Sequence, residues 1–163
     1  MIAALAATVT SGGAAPLRAQ TRIPSEPRPR PLLALAHSDL RFGTVLPGIP
    51  SRVDARDLGH AALFELRGPV GAAVRIDLLL PTALGGVGDA LLPISFGPGD
   101  GLAGPTRDSP SSIGFNPNSP LIATLGPIGS LWVRLGGTVL PGRPQIGGPY
   151  SGTIVITVFA LGS

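Results

Sequence analysis

The sequence predicts an all-β fold, an antiparallel sandwich of short strands, and three observations carry that expectation. The first is composition: 24 Gly and 19 Pro stand among 163 residues, yet 44% of the chain is apolar and mean hydropathy is +0.39. Turn formers at that density would mean disorder in a polar chain. In an apolar one they mean many short buried segments joined by tight turns. The second is spacing: beyond the N-terminus no stretch runs more than about eleven residues without Gly or Pro, which leaves no room for long helices. The third is alternation. In 62–67 (ALFELR) and 73–80 (AVRIDLLL) apolar and polar residues exchange with a period of two, the repeat of a strand with one buried face.

Residues 1–19 read as a secretory signal peptide. Residues 2–9 (IAALAATV) form a short apolar run, and Leu17-Arg18-Ala19 ahead of Gln20 is similar to a small-residue cleavage site. The run is far short of the roughly 20 apolar residues that span a bilayer, so the expected location is exported (periplasmic, cell-surface or secreted) with no membrane span. Residues 20–36 follow as a Pro-rich spacer, with Pro24, Pro27, Pro29 and Pro31 each removing a backbone donor and stiffening the chain. The sandwich domain is expected over 37–163.

Strands are expected in order along it. Residues 32–36 are a short apolar run, and 40–46 (LRFGTVL) puts Leu40, Phe42 and Thr44 on one face before Pro47-Gly48 ends it. Residues 52–55 suit a short edge strand. Pairing Leu66 with Val74 and Phe64 with Ile76 aligns the apolar faces of 62–67 and 73–80, setting Glu65 opposite Arg75 on the wet face. Pro93 places 91–96 on an edge or at a bulge. Residues 97–120, dense in Gly, Pro, Asp and Ser, read as a long surface loop, with Asp100, Arg107 and Asp108 as candidate ligand residues. Residues 121–125 and 130–135 suit strands, and Gly136-Gly137 a bulge or sharp bend before 138–140. Residues 150–161 (YSGTIVITVFAL), apolar on both faces, are expected to lie centrally, buried on both sides. The total is about eight or nine strands.

Several segments resemble a family of bacterial surface-protein domains of unknown function related to fimbrial (pilin) subunits and spore-coat-protein-U-like domains. Residues 39–45 (DLRFGTV) with Pro47-Gly48 are similar to its L-x-F-G-x-(I/V)-x-P-G opening. Phe64 to Gly68 resembles its F-x-(V/L)-x-G strand, Ile76 to Pro81 its I-x-L-P strand, and 133–138 (VRLGGT) its V-x-G-G-T-L segment. Gln145 with Tyr150-Ser151-Gly152 and the last strand resembles its ending. The resemblance spans roughly 35–161, and the Pro-rich stretch at 97–120 departs from it. It implies an immunoglobulin-like sandwich lacking one edge strand, completed by donor-strand exchange. The expected partners are other fimbrial-type subunits or a periplasmic chaperone. Tyr150, Ile154, Ile156 and Val158 are then the candidate strand-addition edge, since a long unpaired apolar edge invites a further strand.

Other chemistry finds little footing. The chain has no Cys, so disulfides and thiolate metal sites are excluded. All 12 basic residues are Arg, which accounts for a pI near 11.0 at a net charge of only +3. They are scattered, and aromatics are 4% of the chain, so no nucleic-acid partner is expected. His37 and His60 sit in turns or strand starts without metal spacing, and no Gly-x-Ser-x-Gly elbow accompanies them. Gly99 to Gly104 matches G-x-G-x-x-G, but Pro105 and Pro110 forbid the helix a phosphate site needs. Trp132 could serve as an exposed carbohydrate-stacking platform, but a lone Trp on a strand is more often core, and the core is where it is expected. The expected function is therefore non-enzymatic, without a cofactor: a structural or accessory subunit of a surface fibre or coat. The alternative is a free-standing secreted module that binds a glycan or protein through its loops.

Overall fold

Turn residues cut the chain into short strands, as composition demanded. A computed structural model describes residues 30–162; the leader and the spacer through residue 29 lie outside the described residues. The strands are β1 (Leu33–Ser38), β2 (Ser51–Val53), β3 (Ala62–Arg67), β4 (Ala73–Leu79), β5 (Ala83–Gly85), β6 (Leu91–Ser95), β7 (Gly101–Gly104), β8 (Ile113–Phe115), β9 (Leu121–Thr124), β10 (Ser130–Leu135), β11 (Gly137–Val139) and β12 (Val155–Ala160). They form three antiparallel sheets, ordered β1-β3-β10-β7-β8, β2-β11-β6-β5 and β12-β4-β9. Among the described residues no helix is long and apolar enough to cross a membrane.

Alternation decides which side chains meet. Phe64 and Leu66 of β3 and Leu131, Val133 and Leu135 of β10 point from the five-stranded sheet onto Val74 and Ile76 of β4, making the main core between the two layers. A second core joins Leu92, Ile94, Phe96 and Val139 under Leu40, Phe42, Val45, Leu84, Tyr150 and Ile154. The chain passes from the first layer to the four-stranded sheet at Gly136. Leu135 pairs with Ala62 and Gly101, whereas Gly137 pairs with Val53, so the paired glycines do mark a sharp bend. At Gly136 a Cβ would lie 2.3 Å from the Val53 carbonyl oxygen, which is why only glycine fits.

Several expectations are corrected. β3 and β4 do not pair. β3 lies between β1 and β10, and β4 between β12 and β9, so Leu66 and Val74 meet across the core and not along a ladder. Glu65 pairs with His37 and Arg67, and Arg75 with Asp77. Residues 40–46 form no strand: Gly43 turns the backbone at φ 64°, and Leu40, Phe42 and Val45 pack on the second core as a loop. Pro93 sits in an interior strand opposite Ala83, not at an edge. It still accepts a 2.8 Å bond from Leu140 N, so one donor is all the ladder loses.

The 97–120 stretch is not a plain loop, for it contributes β7 and β8 to the five-stranded sheet. β7 is buried throughout because its small residues admit neighbouring rings: a Cβ on Gly101 would lie 2.7 Å from the Phe115 ring. β12 begins at Val155, not at Tyr150, and lies at a sheet edge with Val155 and Phe159 exposed. It is not the doubly buried central strand expected. Trp132 is only half-buried, turned outward against the His37 ring at 5.0 Å and away from the core side occupied by Leu131 and Val133. β1 crosses the expected boundary between residues 36 and 37.

Candidate functional site

The open edge of β12 is the candidate site. β12 is held by β4 in an unbroken register from Val155↔Leu79 to Ala160↔Val74. The Leu161 N–H donates to Ala73 O at 2.9 Å, so in that register 155, 157 and 159 share their backbone bonds with β4. In an antiparallel ladder the alternate residues then face away. The N–H and C=O groups of Ile156, Val158 and Ala160 therefore point outward, and no further strand lies beside them among the described residues. The Ile156 and Val158 side chains turn inward and pack on the main core.

Edges are usually blunted by charge, proline or a bulge. The segment VITVFA has none of these. Its outward face adds apolar surface, with Leu79 and Ile122 both about 70% exposed beside Val155 and Phe159. The Arg75–Asp77 ion pair, at 3.0 Å, breaks up this surface. β1 approaches β12 along the same side of the sandwich. Beyond the start of β12 opens a cleft of about 1030 Å³, lined by Ala36 and Ser38, the 39–47 loop, Phe64, Leu84, Ile94 and residues 145–154. Ile154 and Tyr150 line this cleft and do not belong to the strand. Tyr150 is fixed by donating to Ile146 O and accepting from Gln145 Nε2 at 2.7 Å. Of the four edge residues expected, the structure thus places Ile156 and Val158 on β12 and the other two on the wall leading to it.

The expected ligand residues do not converge. Asp100 is buried, accepting from Gly97 N at 2.7 Å and Arg52 Nη2 at 3.0 Å, which ties β7 to β2. Arg107 and Asp108 are exposed and face one another at 3.9 Å.

A second polar group lies on the outward face of the five-stranded sheet. Glu65 is buried, accepting from Arg67 Nε at 2.7 Å, Arg67 Nη2 at 2.9 Å and His37 Nε2 at 2.9 Å, with His37 against Trp132. The Arg67 bonds hold its carboxyl below the usual glutamate range, with burial opposing and His37 assisting. The folded carboxyl is thus harder to protonate than the unfolded one, and its stabilisation is complete above the unfolded pKa of about 4.3. It is lost as pH falls through the lower folded value. Asp57 is lowered in the same direction, chiefly by the Gly59 N–H. Unfolding followed by fluorescence between pH 7 and pH 3, roughly the carboxylate range, is expected to show a smaller acid loss in Glu65→Gln than in the wild type. The i, i+2 spacing of Glu65 and Arg67 signalled a shared face; nothing in the sequence brought His37 and Trp132 to it. Comparison with protein-family models, curated proteins and solved structures finds no match.

Proposed function

We propose that this protein is a non-enzymatic structural or accessory subunit of a bacterial surface fibre or coat. In this reading it is exported, of the fimbrial and spore-coat-U-like kind, and associates by accepting a partner's strand along β12. The single observation that carries the reading is the row of outward backbone groups at Ile156, Val158 and Ala160 on an edge with no protecting residue. Added strands gain main-chain bonds from such an edge and specificity from alternate side-chain pockets, and the apolar cleft leading to β12 offers these pockets. β1 is committed to β3, so donating its own 33–36 to a neighbour would require withdrawing it. The incoming strand is therefore assigned to another chain.

The test is thermal unfolding of the full chain with a panel of synthetic strand peptides of alternating Val, Ile and Thr, that of sequence 153–161 among them. A peptide at a hundredfold excess over its Kd stabilises by about 2.7 kcal/mol, a rise of several degrees in Tm. The same peptide N-methylated at alternate amides, which removes its edge-pairing donors, should give no rise. Equal effects from both forms, or none from either, would refute strand addition.

A further inference from the structure

Beyond that reading, the outward face of the five-stranded sheet carries a second cleft, of about 460 Å³, between the start of β1, the end of β3 and the turn entering β10. This is within the roughly 300–1,000 Å³ of small-molecule sites. Its floor is a row across three strands, Leu33, Arg67 and Ser130, with Glu65 one rung along. Gly68 N donates to Gly129 O at 2.9 Å, which makes Arg67 and Ser130 the adjacent non-bonded pair, the closer of the two kinds at about 4.5 Å between Cα atoms. Arg30, Pro31 and Ile128 form the rim.

Ser130 is only 4% exposed, yet its hydroxyl has no hydrogen-bond partner, alone among fully buried side-chain polar atoms of the described residues. An orphaned buried hydroxyl carries a desolvation cost, and a ligand that draws it round to the cleft and bonds to it removes that cost. The surrounding charge says which ligand. Glu65 offsets Arg67, and Arg30 has no ion pair among the described residues, so the described residues lining the cleft carry one net positive charge. A monoanion matches it; a phosphate dianion would face Glu65. Arg67 spends Nε and Nη2 on Glu65, which leaves Nη1 to donate alongside the Ser130 hydroxyl. Glu65 Oε1 accepts one bond only and retains a lone pair for a hydroxyl donor.

We infer that this cleft binds a carboxylate bearing a neighbouring hydroxyl group, the chemistry of a sugar acid. In it the carboxylate takes the Ser130 hydroxyl and the Arg67 and Arg30 guanidinium groups, and Leu33 and Ile128 cover the ligand's carbon skeleton.

Calorimetric titration of the full chain with glucuronate, glucose, acetate and inorganic phosphate tests this. Glucuronate is expected to bind with a Kd of about 1 mM and glucose not to bind. Acetate binding as tightly as glucuronate would overturn the assignment of a neighbouring hydroxyl to Glu65. Ser130→Ala should weaken glucuronate roughly tenfold or more without loss of thermal stability, since it deletes an unpaired polar atom. Arg30→Gln, at an exposed position, should weaken it about two- to fivefold. No binding by either carboxylate, tighter binding of phosphate, or affinity unchanged in both variants would overturn the inference.

Discussion

Leu66→Ala is expected to lower the free energy of unfolding by about 2–5 kcal/mol. Leu66 is fully buried in β3, an interior strand, and its side chain meets Val74, Ile76, Leu131 and Val133 from both facing layers. Truncation leaves a cavity walled by strands that are themselves fixed by ladders on both sides, so the site cannot collapse to fill it. Against a usual total of about 5–15 kcal/mol the loss is large. Urea unfolding should show a lower midpoint at an unchanged slope. Leu79→Ala, at a position 71% exposed, should stay within about 0.5 kcal/mol of the wild type. Equal losses in the two variants would mean that the layers do not face one another as described.

The second large effect is expected at the bend. Gly136→Ala places a Cβ 2.3 Å from Val53 O and 2.7 Å from Ala55 N, both backbone atoms. Neither can rotate aside, and β2 would have to leave β11, with which it shares the register Gly137↔Val53. Gly136 N also donates to Asp100 O at 2.8 Å, so a shift of the bend disturbs the start of β7. The cost is expected at or above the upper end of overpacking, about 3 kcal/mol, read as a fall in Tm or as insoluble expression. Gly147→Ala, with no atom within 4 Å of its added Cβ, should be tolerated. A soluble Gly136→Ala protein with an unchanged Tm would show that β10 and β11 do not turn there.

The strands themselves were legible wherever period two ran between turn residues, and 62–67 and 130–135 became β3 and β10 residue for residue. Pairing was not legible. Apolar alternation lets neighbours in sequence match face to face in one ladder, but it serves equally well when two strands face each other across a core, as Leu66 and Val74 do. Nor does hydrophobicity alone tell an edge from a centre. Two apolar faces suggested burial for β12, yet Phe159 lies about half exposed on the outer one. β7 escaped because GLAG has no β-branched residue and owes its place to the Phe115 ring lying over Gly101. At the edge, Ile156 and Val158 could be read from the run of β-branched residues. The outward direction of their backbone groups comes only from the Leu161–Ala73 bond that fixes the ladder's phase.

That phase gives the most direct measurement. Amide hydrogen exchange on the free full chain is expected to be slow at Val155, Thr157 and Phe159, which donate to β4, and fast at Ile156, Val158 and Ala160, which donate to nothing in this ladder. Addition of a strand-forming partner should slow the second set and leave the first unchanged. Protection of Ile156 and Val158 in the free protein, or their continued rapid exchange in a complex that demonstrably forms, would contradict an open β12 edge as the binding site.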